Sequence, residues 1–200
     1  MRKIKAVIFD LNGVFIQSPL LSTRFEEKFG VPSQDFVLAL KEILDKTRRQ
    51  NAGRSFIYWQ PQLKDWNINI TEEELFDFWF SAEKENTEMI ELAKRIKQSG
   101  IKIFILSNNF VERTEYYKKT FKFLMEIFDK VYYSWQTDLV KPDIKAYQKI
   151  LTDNNLQPAE CVYFDDSNKN IIAAESLGIA SYKFQGPLAT EKIIFNKQFT

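Results

Sequence analysis

Four polar positions in the 200-residue chain follow or end apolar runs that are typical of buried strands. Asp10 follows the first run, Ser107 ends the second, Lys141 comes after the third, and the pair Asp165-Asp166 ends the fourth. Parallel strands of an open α/β sheet finish at one edge, where such sheets hold their ligands. A carboxylate nucleophile, a hydroxyl, an ammonium group and further carboxylates for a metal are the groups that phosphoryl transfer needs.

The first two positions also have ordinary structural explanations. Asp10 stands before the turn sequence Asn12-Gly13, in which Gly13 permits backbone angles closed to other residues and a close approach by substrate. Ser107 precedes Asn108 in a run that suits a turn or a helix cap. The Ser107 hydroxyl and the neighbouring N–H groups suit a phosphoryl oxygen equally well.

The last two positions favour a charged site. Lys141 resembles a surface lysine before a helix, but its ammonium can neutralise both a nucleophilic carboxylate and a phosphoryl group. Asp165 and Asp166 repel each other at a buried strand end unless a cation compensates. Oxygen ligands without His or Cys suit Mg²⁺. Asn170, about one helical turn further on, can orient a neighbouring carboxylate by hydrogen bonding.

Composition excludes several classes of protein. Apolar residues form 44% of the chain, so a sizeable core is available, and the net charge of +1 with no basic stripe gives no sign of a nucleic-acid partner. No apolar run approaches the roughly 20 residues that span a bilayer, and the start is too soon interrupted for a signal peptide, so we expect no membrane partner and a cytoplasmic location. The single cysteine, Cys161, excludes an internal disulfide, and the lack of histidine excludes His-based catalysis. Size alone suggests a monomer or a weak homodimer.

The pattern of elements predicts an α/β protein with a Rossmann-like, doubly wound parallel sheet. Runs rich in Val, Ile, Phe and Tyr predict strands at Ile4–Asp10, Lys102–Ser107, Lys130–Trp135, Cys161–Asp165 and Ala180–Phe184. Helical periodicity predicts core helices at Thr87–Ser99, Phe110–Phe121, Asp143–Asn154 and Asn170–Leu177.

The first two strands are separated by about ninety residues, too many for one crossover. Helical patterns there cover Leu20–Phe29, Ser33–Arg49 and Thr71–Phe80, the last with a capping box that begins at Thr71. We therefore predict an α/β core domain of residues 1–16 and 86–200, with a small helical cap domain inserted at residues 17–85. Its possible anion contacts are Arg24, Arg48, Arg49 and Arg54, and the sequence does not choose among them.

The order and strand-end placement of the four positions resemble the haloacid dehalogenase (HAD) superfamily with a helical cap of its first type. The form Asp165-Asp166-x-x-x-Asn170 looks like the branch of sugar-phosphate phosphatases and of the phosphatase domain of soluble epoxide hydrolase. The resemblance implies a Mg²⁺-dependent hydrolase that moves a phosphoryl group from a small phosphorylated metabolite to Asp10 and then to water. It implies that Asp10 is the nucleophile and a metal ligand, with Asp166 and the backbone carbonyl of Asn12 as further metal ligands. It implies phosphate contacts from Ser107, Asn108 and Gly13. Lys141 would then stabilise charge, and Asp165 and Asn170 would support the other residues.

Asn12 departs from the pattern of the phosphatases, which usually have aspartate two residues after the nucleophile. That aspartate protonates the leaving group and then activates water, and Asn12 can transfer no proton in either step. General acid–base catalysis typically contributes 10²–10⁴-fold, so turnover is expected to be slow or impaired. One alternative is a catalytically impaired protein that binds a phosphorylated ligand or a protein partner. Another is a 2-haloacid dehalogenase, a branch that lacks this aspartate but needs no metal.

Overall fold

A five-stranded parallel sheet forms the centre of the chain in this computed structural model, which describes residues 4–196 and the side chains of residues 4–195. The strands are β1 (Ala6–Phe9), β4 (Lys102–Ser107), β5 (Lys130–Tyr133), β6 (Cys161–Asp165) and β7 (Ala180–Lys183), in the spatial order β5-β4-β1-β6-β7. Two further short strands, β2 (Ile16–Gln17) and β3 (Lys84–Glu85), pair antiparallel. The predicted α/β class with a doubly wound parallel sheet is confirmed.

Strand β1 is buried on both faces, as its continuous apolar sequence requires. Val7 and Phe9 belong to one hydrophobic cluster, while Ala6 and Ile8 belong to the cluster on the opposite face. Its two neighbours are β4, where Phe9 pairs with Ile105, and β6, where it pairs with Phe164. The side chains that follow these three strands therefore emerge side by side.

Helices connect the strands and cover the two faces of the sheet. They are α5 (Thr87–Gln98), α6 (Val111–Thr120), α7 (Phe123–Glu126), α8 (Ser134–Thr137), α9 (Ile144–Asp153), α10 (Asn168–Glu175) and α11 (Pro187–Asn196). Within residues 4–196, no helix combines the length and the apolar character needed to cross a membrane.

Residues 18–83 form a four-helix segment between β2 and β3. Its helices are α1 (Leu21–Phe29), α2 (Ser33–Thr47), α3 (Phe56–Asp65) and α4 (Glu72–Phe80). They share an aromatic cluster in which Phe25 stacks on Phe36 and Phe36 on Trp59. Phe110, from the loop after β4, joins the same cluster by packing against Trp79. The division into core and cap domains at residues 17 and 85 stays a prediction.

Several predicted boundaries were accurate and several elements were missed. The Thr71 capping box is present, because the Glu74 N–H donates to Thr71 Oγ1 and the Thr71 N–H to Glu74 Oε2. The strand predicted over Lys130–Trp135 was wrong at its end: it stops at Tyr133, and Trp135 lies in α8. The sequence patterns missed α3, α7, α8, α11 and the β2–β3 pair.

Candidate active site

Lys141 lies between two aspartates at the carboxyl edge of the sheet. Its Nζ is 2.8 Å from Asp10 Oδ1 and 2.8 Å from Asp165 Oδ2. The ammonium is buried, with 1% of the side chain exposed, so both contacts are largely screened from water. Burial lowers the pKa of Lys141, but the two carboxylates outweigh that effect and raise it, which keeps the ammonium charged.

The carboxylate of Asp165 accepts hydrogen bonds from several neighbouring groups. Asn170 Nδ2 donates to both carboxylate oxygens, at 3.1 and 3.0 Å, and the Ser167 backbone N–H donates to Oδ1 at 2.8 Å. The Tyr163 hydroxyl donates to Oδ2. Burial would raise the pKa of Asp165, but Lys141 and these donors outweigh it and lower that pKa. Asp165 is therefore an ionised anchor that fixes the position of Lys141.

The negative charges of Asp10 and Asp166 are less well compensated than that of Asp165. Burial raises the pKa of Asp10 to about 6, against the opposing charge of Lys141 and with the charge of Asp165 adding to the rise. Burial also raises the pKa of Asp166, and Asp165 acts in the same direction. One ammonium faces three carboxylates here, so the cluster carries an excess of negative charge.

Gly13 makes room for Asp166. A Cβ atom at Gly13 would lie 2.6 Å from Asp166 Oδ2, closer than real Cβ atoms approach an oxygen, and its φ of +86° is one that glycine adopts easily. The space next to Gly13 is thus filled by the carboxylate of Asp166. One oxygen from each of Asp10, Asp165 and Asp166 lies within 4.8 Å of the others. A set of hard oxygen ligands with excess negative charge is the donor set that Mg²⁺ takes, so the residues present fit this ion.

The loop after β4 contributes a hydroxyl and a support for Lys141. Ser107 is 1% exposed, and its Oγ has no hydrogen-bond partner among the residues that the structure describes. Asn108 has a task that the sequence did not predict: its Nδ2 donates to the Lys141 carbonyl and its Oδ1 accepts from the Lys141 N–H, both at 2.8 Å. Its side-chain amide is committed to the Lys141 backbone, and the phosphate contact of Asn108 stays a prediction.

Asn12 faces a buried network rather than the carboxylates. Its Nδ2 donates to the Tyr117 hydroxyl at 2.6 Å. Arg113 lies 5.5 Å from the centre of the Tyr117 ring and pairs with the carboxylate of Glu83. Burial raises the pKa of Tyr117 well above its usual range, so its hydroxyl keeps its proton. The amide orientation of Asn12 is thereby fixed, with Oδ1 as its remaining polar atom.

The structure brings together most of the residues that the sequence singled out: Asp10, Gly13, Lys141, Asp165, Asp166 and Asn170. Two tyrosines were missed. Tyr163 stands two residues before Asp165 on β6 and therefore shares its face, a spacing from which the contact was predictable. Tyr117 is 105 residues from Asn12 in the chain, and no local signal connects them.

Comparison with known proteins agrees with this geometry. Residues 7–183 match the family described as haloacid dehalogenase-like hydrolase. The chain belongs to this family, as its sequence predicted.

Relatives with assigned activities are distant. The chain is 26% identical to bifunctional epoxide hydrolase 2 of Sus scrofa, over 89% of this chain and 36% of that protein. It is 27% identical to the phosphorylated carbohydrates phosphatase of Thermotoga maritima, over 88% of this chain and 82% of that protein. The chain thus spans about a third of the epoxide hydrolase and most of the phosphatase.

Solved structures share the fold. A HAD family enzyme of Bacteroides thetaiotaomicron in complex with magnesium and inorganic phosphate superposes with a TM-score of 0.77 at 19% identity, covering 90% of this chain and 93% of that one. An L-2-haloacid dehalogenase superposes with a TM-score of 0.70 at 18% identity, covering 92% of this chain and 87% of that one. A phosphate complex and a dehalogenase both occur on this fold, so the side chains must distinguish between functions.

Proposed function

We propose that this protein is a Mg²⁺-dependent phosphohydrolase that acts on a small phosphate monoester through Asp10. The observation that carries the proposal is the contact of Lys141 Nζ with both Asp10 and Asp165, at 2.8 Å each, inside a cluster of three carboxylates. A dehalogenase needs a nucleophilic carboxylate but no such excess of negative charge. A cluster that requires a further cation favours phosphoryl chemistry.

Asp10, Asp166 and the backbone carbonyl of Asn12 are the proposed ligands of Mg²⁺. The bound ion would lower the electrostatic cost of bringing a phosphate dianion to the Asp10 carboxylate. Asp165 is the less suitable ligand, because its oxygens already accept from Lys141, Asn170 and Tyr163.

In the first proposed step, a carboxylate oxygen of Asp10 attacks phosphorus. A bond forms between this oxygen and phosphorus, and the bond from phosphorus to the leaving oxygen breaks with its electron pair. Lys141 stabilises the charge on the phosphoryl oxygens, and Asp165 keeps it in place. The Ser107 hydroxyl, which lacks a partner among the described residues, is the proposed donor to one of these oxygens.

In the second proposed step, water attacks phosphorus and the bond to Asp10 breaks, which releases inorganic phosphate. The amide of Asn12 cannot take the proton of the attacking water, so this proton passes to solvent. In the first step the leaving oxygen likewise takes its proton from solvent, since Asn12 has none to give. Formation of the acyl phosphate therefore depends strongly on the leaving group, and the acyl phosphate on Asp10, once formed, is long-lived.

The first experiment measures hydrolysis of p-nitrophenyl phosphate, whose leaving group needs no proton, with Mg²⁺ and with EDTA. We expect Mg²⁺-dependent release of nitrophenol that is lost in Asp10→Asn. Exposed Asp143, two residues from Lys141, gives the control Asp143→Asn, which should keep the activity. Metal-independent release of chloride from 2-chloropropionate, without phosphatase activity, would instead identify a dehalogenase.

The second candidate function is binding without turnover. The observation that favours it is the commitment of the Asn12 amide to Tyr117 in a buried network, which leaves no acid at this position. A wild-type protein that binds phosphate esters tightly but shows no phosphorylated Asp10 and no hydrolysis would support this alternative over the enzyme.

A further inference from the structure

Arg48 is a cation near the candidate active site whose side chain has no partner among residues 4–195. It follows α2 directly as the C-terminal cap residue. Its Nε is buried without a hydrogen-bond partner, and the guanidinium makes no ion pair with any described carboxylate. Arginine carries five N–H donors in a planar fork that matches carboxylate and phosphate oxygens. A partly buried guanidinium group without acceptors raises the free energy of the folded protein when no ligand is bound.

The other candidate cations of the four-helix segment are already engaged or lie in solvent. Arg24 donates to the backbone carbonyls of Phe78 and Trp79. Arg54 pairs with Glu72 at 2.7 Å and with Glu115 at 3.2 Å. Arg49 is exposed. Of the four arginines that the sequence left open, the structure singles out Arg48.

The surroundings of Arg48 connect it to the nucleophile. Burial lowers the pKa of Arg48 to about 10, the positive charge of Arg113 adds to this effect, and the negative charges of Asp45 and Asp10 oppose it. Asp10 is not its ion-pair partner, because Lys141 fills that place. Asp10 and Arg113 are thus both near enough to Arg48 to influence its charge, in opposite directions.

Arg113 has an unfilled donor of its own. It pairs with Glu83 through Nη2, while its Nε is buried without a partner among the described residues. Like charges oppose each other unless an anion compensates them. Glu83 forms an ion pair with Arg113, whereas Arg48 forms none with a described carboxylate.

The segment that follows Arg48 borders a cavity. Residues 49–53 line a cavity of about 590 Å³, and its other wall includes Val111 at the start of α6 and Trp135 in α8. These elements follow β4 and β5 at the carboxyl edge of the sheet, so the cavity lies on the side of the catalytic loops.

We propose that Arg48 binds a second anionic group of the substrate, a carboxylate or a second phosphate, while the reacting phosphate lies at Asp10. The inference rests on the proposed phosphohydrolase function and narrows its substrate to phosphate monoesters with two anionic groups. Arg48 is then a specificity-determining residue: it strengthens binding of such esters and leaves esters with one anionic group unaffected.

The test compares matched ligands by calorimetry in the presence of Mg²⁺. The first pair is 3-phosphoglycerate and glycerol 3-phosphate, which differ by a carboxylate. The second pair is fructose 1,6-bisphosphate and fructose 6-phosphate, which differ by a phosphate. Asp10→Asn is the common background, because it prevents turnover and retains Ser107, Lys141 and Asp166.

We expect at least one doubly anionic ligand to bind more tightly than its singly anionic counterpart. Arg48→Met should weaken binding of that ligand by about 10- to 100-fold, as expected when a charged hydrogen bond is lost. Arg48→Lys should restore part of it, because the charge returns without the fork. The control Lys41→Met removes an exposed cation from the same helix and should change nothing.

Three results would overturn the inference in distinguishable ways. If neither doubly anionic ligand is preferred, or if Arg48→Met leaves the preference intact, the proposed role of Arg48 is wrong. The proposed phosphohydrolase function is not affected by that result. An equal loss for singly and doubly anionic ligands in Arg48→Met makes Arg48 a general support of the site. Failure of all four esters to bind, together with absent hydrolysis of p-nitrophenyl phosphate, refutes the phosphate site and this inference with it.

Discussion

Asn12 and Tyr117 are joined by a hydrogen bond of 2.6 Å between the amide Nδ2 and the phenolic oxygen. Tyr117 is fully buried and lies against Arg113, so this contact holds the Asn12 side chain in one orientation. In the proposed mechanism this amide takes the place of the proton donor that HAD phosphatases usually have. The proposed site thus combines a set of charged residues with a group that transfers no proton.

Asn12→Asp should raise the turnover of substrates with poor leaving groups. A carboxyl at this position can protonate the leaving oxygen and deprotonate water, which is typically worth 10²–10⁴-fold. The measurement is phosphate release from an alkyl phosphate by both proteins with Mg²⁺. The double variant Asp10→Asn/Asn12→Asp is the control and should be inactive; no gain in the single variant would show that acid–base chemistry does not limit the reaction.

Gly13→Ala should abolish the function of the metal site at modest cost in stability. The added Cβ would come within 2.6 Å of Asp166 Oδ2, and the flexible end of that side chain would move away. Gly100→Ala is a matched control, because Gly100 has a similar φ of +81° and a Cβ added there would meet nothing within 4 Å. Both variants should lose about 1–2 kcal/mol in the free energy of unfolding from the left-handed backbone.

Activity separates these two glycine variants. Only Gly13→Ala should lose Mg²⁺-dependent hydrolysis, whereas Gly100→Ala should keep it. Equal activity in both would mean that Asp166 is not needed where the structure places it.

Lys141→Met should destabilise the fold by about 3–5 kcal/mol, because it leaves the buried charge of Asp165 without its cation. Adding Asp165→Asn should recover part of this loss, since the unpaired charge is then removed. Chemical denaturation gives the free energies of unfolding. Lys149→Met serves as comparison: its ion pair with Asp153 lies at the surface and should contribute little.

Mg²⁺ should stabilise the wild-type protein against thermal unfolding. At a concentration of 100 times its dissociation constant, an ion that binds only the folded state adds about 2.7 kcal/mol. Asp166→Asn should abolish the shift in melting temperature, and EDTA should reverse it in the wild type. An undiminished shift in Asp166→Asn would place the ion elsewhere.

Buried strands were the elements best predicted from sequence. Lys102–Ser107 and Cys161–Asp165 agree with the structure to the residue, because continuous apolar runs end there in polar residues. The end of β5 was misjudged for a tertiary reason: Ser134 Oγ bonds the backbone of Asn109, 25 residues away, and the chain turns into a helix. Helix α3 was missed because Pro61 lies inside it, where proline usually argues against a helix.

The candidate site was likewise predictable in part. The polar types at strand ends were sufficient to predict Asp10, Lys141 and Asp165 as neighbours, since parallel strands finish at one edge. The reciprocal bonds between Asn108 and Lys141 cross 33 residues, and the isolation of Arg48 depends on what does not pack against it. Such features appear only once the chain has folded.

The most direct test of the account is whether Asp10 becomes phosphorylated. Wild-type protein is incubated with p-nitrophenyl phosphate and Mg²⁺, quenched in acid, and analysed by intact mass and peptide mapping. We predict a mass increase of one phosphoryl group on the peptide that contains Asp10, absent in Asp10→Asn and absent when EDTA replaces Mg²⁺. Hydrolysis of the ester with no phosphoryl group on Asp10 at any time, or with full activity in Asp10→Asn, would contradict the account.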